Sequence, residues 1–168
     1  ARVCVQTGES LMTMDEWQVA TELFFVPSQL PPEDARHAEP KLLVCHIRAS
    51  FGRAMASCKS ALQRDPRVAS PTTLRQVTAV LNELQAAMQL VTDRPEETRE
   101  DLYWLVHNGS VLIFGICDTL SLMGFSANAV PFLAWAILAV DATPNLCTIQ
   151  YLPWRVRLFS AAARCLES

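Results

Sequence analysis

The chain has 168 residues, of which 51% are hydrophobic and 18% are charged. This composition excludes an intrinsically disordered chain, because disorder requires low hydrophobicity and high net charge, and the length suits one domain or a piece of a larger array. Fourteen basic and 17 acidic residues give a net charge of −3. We therefore expect no nucleic-acid partner, because nucleic-acid-binding domains carry clustered Lys and Arg.

Residues 1–39 are expected to contain a short helix and then an irregular connection. Trp17, Ala20 and Phe24 recur at helical spacing within residues 14–25, which predicts the helix. Residues 26–40 hold four prolines and several charges, a composition typical of a loop.

Residues 40–92 are predicted to form a helical hairpin. Pro40 is tolerated at the first position of a helix, and Ser70 followed by Pro71 is a start signal for a second helix. Pro66 ends the first helix. Each helix carries an apolar stripe at three- and four-residue steps: Leu43, Ile47, Phe51, Ala54, Cys58 and Leu62 on the first, and Leu74, Val77, Leu81, Leu84, Met88 and Val91 on the second. We expect the two stripes to pack together.

Residues 93–168 are predicted to form three further helices. The acidic residues after Asp93 favour a helix start, because the helix dipole is complementary to negative charge there. The chain is nearly uncharged over 102–123, turns at 124–128, and is apolar again over 129–140. A last helix is expected to begin near Thr148 or Pro153 and to run to Cys165. Because alternating strand patterns are missing, the predicted fold is all-α, built from antiparallel helix pairs.

The second half contains one unit that is similar to a 34-residue tetratricopeptide (TPR) repeat, which predicts a TPR-like α-solenoid segment continuing into a larger chain. Gly124 falls in the turn of this unit. Large and small apolar residues occupy the helix positions: Ile113, Ile116, Cys117, Leu120, Ala129, Leu133 and Ala136. Any antiparallel hairpin with alanines between its helices would share this pattern, so that alternative stays open.

A membrane hairpin is a second interpretation of this region, because residues 119–140 lack charge over 22 positions, enough for one transmembrane helix. The turn at 124–128 interrupts the run, and basic clusters that would set an orientation are missing from its flanks. We therefore expect buried helices and no membrane contact.

Residues with catalytic or metal-binding chemistry are dispersed. His37, His46 and His107 have no partners at metal-ligand spacing, and the six cysteines form no Cys-x-x-Cys motif and are expected to be reduced core thiols in the cytoplasm. We expect no catalytic residue, no cofactor and no metal. Arg157 and Arg164 share a helix face that is either solvated or in contact with an acidic partner.

Residues 101–165 resemble the cilia- and flagella-associated protein 54 family. The resemblance lies in a Trp-bearing helix that runs into Asn-Gly, an Ile-Cys pair, a Leu-x-Trp-Ala helix and a Tyr-Leu-x-Trp-Arg helix start. Its signature and packing residues are Trp104, Asn108, Gly109, Cys117, Gly124, Ala129, Leu133, Trp135, Tyr151, Leu152, Trp154 and Arg155. Pro131 and Pro153 depart from the family pattern, so that Pro131 is expected within the first turn of its helix and Pro153 at a helix start or a kink.

The resemblance implies a structural protein, not an enzyme, in the axoneme of motile cilia and flagella. Its place would be the central apparatus, in a projection on the C1 microtubule of the central pair, and this chain would be an amino-terminal helical part. The implied partners are cilia- and flagella-associated protein 46, calmodulin-associated subunits of the same projection, and tubulin, within a large hetero-complex. The alternative function is a cytosolic helical-repeat adaptor that binds a peptide or a partner helix in a groove.

Overall fold

The computed structural model describes residues 2–167, and of Pro32 only the backbone. The protein is 85% helical, and the described residues contain no strand, so the all-α prediction is confirmed. The chain divides into two compact units, one up to Leu90 and one from Val91 onward. The predicted division, between residues 92 and 93, lies two residues further along the chain.

The first unit begins with a helix that the sequence patterns did not predict. Helix α1 spans Arg2–Thr13 and is followed by a short helix α2, Trp17–Val19. A π-helix, Ala20–Phe25, continues directly from α2, and the Val26 N–H bonds to the Thr21 carbonyl five residues earlier. A 3₁₀ turn, Val26–Ser28, and a six-residue helix α3, Pro32–His37, occupy part of the segment that was expected to be irregular.

Two long helices complete the first unit. Helix α4 spans Pro40–Arg64 and helix α5 spans Pro71–Thr92, as the proline and serine start signals predicted. Arg53 pairs with Glu83, and the Arg64 guanidinium donates to the Gln76 side chain at 3.3 Å. Because the later residue of α4 contacts the earlier residue of α5, the two helices are antiparallel.

The Phe25 ring lies at the centre of a small core in the first unit. It packs with Val5 of α1 and with Cys45 and Ala49 of α4. A Cβ atom added to Gly8 would lie 2.6 Å from the ring, and one added to Gly52 would clash with three ring carbons. These two glycines therefore make the space that allows α1, the π-helix and α4 to approach closely.

The turn between α4 and α5 is held by one carboxylate. Asp65 accepts hydrogen bonds from the backbone N–H groups of Ala69 at 3.0 Å and Ser70 at 2.9 Å, and these bonds lower the pKa of the Asp65 carboxyl. Val68 has a φ of 52°, a conformation that costs a β-branched residue roughly 1–2 kcal/mol. The Asp65 side chain bonds to the two residues that follow Val68 and so fixes the turn in which this strain is tolerated.

The second unit consists of three helices. Helix α6 spans Glu96–Leu122, helix α7 spans Ser126–Asp141, and helix α8 spans Leu152–Glu167. Two 3₁₀ turns, Pro144–Leu146 and Ile149–Tyr151, connect α7 to α8. As predicted, acidic residues occupy the first turn of α6, and Gly124 adopts a φ of 85° in the turn after it.

Pro131 and Pro153, the two prolines that depart from the family pattern, lie at different places in their helices. Pro153 is the second residue of α8, where a missing N–H removes no intrahelical bond, as expected. Pro131 lies inside α7, because that helix begins at Ser126 and not near Asn128, so its expected place within the first turn was wrong. The carbonyl of Ala127, four residues earlier, therefore has no helical N–H donor.

Candidate functional site: an aromatic junction between α6 and α8

One face of α6 carries side chains that combine ring surface with polar atoms. Tyr103, His107, Ser110 and Phe114 follow one another at steps of four, three and four residues, which places them on a single face of the helix. The rings of Tyr151, which ends the second 3₁₀ turn, and of Trp154, in the first turn of α8, pack against this face. We call these six residues the aromatic junction.

Ser110 is the polar centre of the aromatic junction. The Trp154 indole N–H donates to Ser110 Oγ at 2.9 Å, and Ser110 Oγ donates to the His107 carbonyl at 2.7 Å. Ser110 is completely buried, and a buried hydroxyl without partners would cost about 1–3 kcal/mol. The Trp154 bond therefore fills the acceptor side of a buried hydroxyl whose proton is donated to His107, and it also fixes the axial position of α8 against α6.

The rings around Ser110 meet mainly edge to face. Ring centroids lie 5.3 Å apart for Phe114 and Trp154, 5.8 Å for His107 and Trp154, 5.2 Å for His107 and Tyr151, and 6.2 Å for Tyr103 and Tyr151. Each such pair contributes roughly 0.5–1.5 kcal/mol beyond its buried area. A hydrogen bond with Tyr103 raises the pKa of the Tyr151 hydroxyl.

Polar contacts at the edges set the direction of α8. The Arg155 Nε donates to Asp141 of α7 at 3.0 Å, and Arg164 lies 3.7 Å from Asp118 of α6. Trp154 contacts Ser110, and the later residue Arg164 contacts the later residue Asp118. The two helices therefore run in the same direction, and α8 is parallel to α6. The Asp141–Arg155 pair joins the end of α7 to the start of α8, and the two are antiparallel.

The structure brings some of the predicted signature residues into contact and leaves others apart. Cys117 Sγ of α6 lies 3.7 Å from the Ala129 carbonyl of α7, and Tyr151, Trp154 and Arg155 contact α6 or α7 as described above. Gly109 and Leu133 are buried, Trp104 and Trp135 are half-buried, Gly124 lies in the turn, and Asn108 and Leu152 are exposed.

Sequence reasoning missed most of the aromatic junction. The sequence patterns assigned no contact to Ser110, and His107 was considered as a metal ligand without partners. The signal that would have found them is the four-three-four spacing of ring and hydroxyl side chains on α6. A stripe of this kind predicts a polar-aromatic contact with another helix, although the spacing alone does not identify Trp154 as the partner.

The two cysteines with shifted pKa values, Cys58 and Cys117, are buried and protonated. Burial raises the pKa of Cys58 to about 11 and that of Cys117 to about 12, whereas a nucleophilic cysteine requires a lowered pKa. The described residues contain no group of three or more His, Cys, Asp or Glu side chains that could hold a metal ion.

Helix α6 is long and apolar enough to cross a membrane by length and composition alone. A core helix of a soluble protein passes the same test, and one face of α6 is buried against the rest of the second unit. Nine of its residues are buried, among them Leu105, Ile113 and Leu120, which are almost inaccessible to solvent.

Comparison with known proteins extends the resemblance beyond residues 101–165. The family model of cilia- and flagella-associated protein 54 matches residues 24–167. The protein of that name from Chlamydomonas reinhardtii is 33% identical over 165 residues, which is 92% of this chain. The mouse protein is 28% identical over 71% of the chain, and the human protein is 25% identical over 96% of it.

The chain is much shorter than these relatives. It spans 5% of the Chlamydomonas protein, 4% of the mouse protein and 6% of the human protein. The match nevertheless includes both units, since it begins at residue 24, within the π-helix, and ends at the last residue of α8. The chain belongs to the cilia- and flagella-associated protein 54 family.

Proposed function

We propose that this chain is a helical scaffold segment of a structural protein in the ciliary and flagellar axoneme, in a C1 projection of the central apparatus. Its task is to hold neighbouring projection subunits and so to support ciliary motility. The observation that carries the proposal is the family match over residues 24–167.

The physical properties of the chain fit a scaffold better than an enzyme. Its polar contacts join one helix to another, as in the Arg155–Asp141 pair and the Trp154–Ser110 bond. Its two thiols with shifted pKa values are buried and protonated at neutral pH. Contacts between helices, such as these two, stabilise a fixed arrangement of helices, which is what a scaffold subunit requires.

The scaffold would be an α-solenoid in which successive helix pairs stack. Helices α6 and α8 are parallel with α7 antiparallel between them, which is the order of helices in such a stack. The α6–α7 hairpin contains 27 residues in α6, a three-residue turn and 16 residues in α7. It is longer than a 34-residue tetratricopeptide unit and closer to the repeats of about 40–47 residues in HEAT and armadillo proteins.

The proposed partners are cilia- and flagella-associated protein 46, calmodulin-associated projection subunits and tubulin of the central pair. The chain would act within a hetero-complex and outside membranes. Exposed apolar side chains offer contact surface for such neighbours, among them Leu122, Leu138 and Ile149. Apolar surface beyond that of an ordinary monomer is typical of subunits that bury it in assemblies.

The test is fractionation of demembranated axonemes from cells that express the tagged natural protein. We expect the protein to remain with the axoneme and to be released with central-apparatus proteins under high salt. Release with the membrane and matrix fraction would favour the cytosolic adaptor instead. The Trp154→Ala variant of the full protein should be lost from the axoneme, whereas Arg157→Ala, an exposed change on the same helix, should be retained.

A further inference from the structure

Helix α8 carries a second apolar face that the other described helices of its own unit leave exposed. Leu152, Val156, Phe159 and Leu166 are 48%, 54%, 48% and 72% exposed, and Ala163 is exposed with them. They recur at steps of four, three, four and three residues, which places them on one side of the helix. We call these five residues the α8 stripe.

The α8 stripe is distinct from the face that holds α8 in the second unit. Leu158, Ala161 and Cys165 are buried against the unit, and Trp154 reaches Ser110 on the same side. At 3.6 residues per turn, this buried face and the α8 stripe lie well apart around the helix axis. Apolar residues therefore occupy two separate sides of α8, and only one of these sides is buried in the second unit.

The Arg155–Asp141 pair places the α8 stripe beside α7. Arg155 lies between the buried face and the stripe around α8, and it contacts Asp141 at 2.8 Å. Because α7 and α8 are antiparallel, residues three, seven and ten positions before Asp141 come to about the same levels as residues four, eight and eleven positions after Arg155. Exposed, uncharged residues of α7 lie at those levels: Pro131, Ala134 and Leu138.

These two rows form an uncharged surface, which we call the α7–α8 groove. Leu138 is 67% exposed, and small residues at Ala134 and Ala163 allow a helix backbone to approach closely. One end of the groove is closed by the Arg155–Asp141 pair. Such a surface fits an amphipathic helix with its own apolar stripe at three- and four-residue steps.

We infer that the α7–α8 groove is covered by the helix that follows α8 in the longer polypeptide, running antiparallel to α8. The inference rests on the proposed scaffold function and identifies the neighbour at this surface. The curated relatives are far longer than the matched segment, which is only 4–6% of their length. A short connection after α8 would place the next helix antiparallel beside it. The short turn between α6 and α7 places α7 beside α6 in the same way.

The geometry of the second unit supports this assignment. A helix in the α7–α8 groove would contact α8 as its hairpin partner and α7 as its neighbour in the stack. It would thus repeat for the next helix pair the relation that α7 has to α6. A second copy of the chain or a separate protein could bind the groove without such continuity, and both are outcomes of the experiment below.

The experiment compares residues 1–168 with the natural chain extended by its next 60 or so residues, using hydroxyl-radical footprinting read by mass spectrometry. Phe159 and Leu166 should be oxidised several-fold more slowly in the extended chain. Met14, exposed in the first unit, is the internal control and should react equally in both. A Phe159→Glu substitution should make the added segment protease-sensitive, while Arg157→Glu on the other side of α8 should not.

Equal oxidation of Phe159 in both chains would overturn the inference. Concentration-dependent protection of the short chain, with dimers by light scattering, would also overturn it and would indicate a second copy in the groove. Protection found only in intact axonemes would indicate a separate protein and would likewise overturn it. Each of these results is independent of whether the tagged protein fractionates with the axoneme, so failure here is distinguishable from failure of the proposed function.

Discussion

Trp154 Nε1 donates a hydrogen bond of 2.9 Å to Ser110 Oγ, and the two residues are 44 positions apart in the chain. The bond joins α8 to α6 inside the second unit. Because Ser110 is fully buried, the bond has a polar role that the ring contacts of Trp154 cannot replace.

The two roles of Trp154 can be separated by substitution. Trp154→Phe keeps ring packing but removes the indole N–H, and we expect it to destabilise the chain by about 1 kcal/mol. Trp154→Ala also removes the ring contacts and should cost about 2–3 kcal/mol, less than the loss of a fully buried Trp because Trp154 is half-buried. Urea unfolding measures both, with Trp104→Phe on α6 as the control. Equal losses for Trp154→Phe and Trp154→Ala would show that the hydrogen bond dominates.

Gly52 and Gly115 are both helical glycines, but they should respond oppositely to alanine. A Cβ atom at Gly52 would clash with the buried Phe25 ring, which Gly8 confines on another side, so Gly52→Ala should destabilise by about 1–3 kcal/mol. A Cβ atom at Gly115 meets nothing within 4 Å. Gly115→Ala should therefore stabilise by about 0.5–1 kcal/mol through helix propensity. Thermal unfolding of the two variants tests the contrast, and destabilisation by both would contradict it.

His46 should make the first unit sensitive to acid. Burial, followed by the charge of Arg53, lowers the pKa of His46 below 6.5, and its Nδ1 accepts a hydrogen bond from the Leu30 N–H at 2.9 Å. The unfolded chain therefore binds a proton first as the pH falls. Stability should be unaffected above pH 6.5 and should decrease below it, through the folded pKa.

Urea titrations at pH 7.5, 6.5 and 5.5 measure this dependence. His46→Gln removes the titrating group and should flatten the change between pH 6.5 and 5.5. An unchanged slope in His46→Gln would assign the acid sensitivity to other groups.

The six cysteines should differ in reactivity by burial. Cys4 and Cys147 are exposed, whereas Cys58 and Cys117 are buried and their pKa values are raised to about 11 and about 12. Under native conditions at pH 8, iodoacetamide should modify Cys4 and Cys147 first and leave Cys58 and Cys117 largely unmodified, because the thiolate is the reactive form. Mass spectrometry locates the adducts. All six should react in denaturant, and rapid native labelling of Cys117 would disprove the assigned environment.

Local signals predicted much of the helical framework. The Ser70-Pro71 pair begins α5, the acidic residues after Asp93 begin α6, and five of the six stripe residues predicted on α4 are buried, Leu62 being the half-buried one. Helix α1 was missed although Val5 is buried and Leu11 and Met12 pack against the same core, because its stripe is short and contains Gly8, a residue type that disfavours helices. The helix depends on contacts with the Phe25 ring and α4, which are distant in sequence.

The excess of apolar residues that marks the composition was readable from the sequence, as were the all-α class and the family resemblance. Those properties reside in local periodicity, caps and residue order, which a sequence carries directly. Only the tertiary structure decided that Phe25 fits between Gly8 and Gly52, that Trp154 satisfies Ser110, and that one apolar face of α8 is buried while the other is exposed. Each of these depends on which distant helix faces which, and spacing along one helix defines a face without specifying its partner.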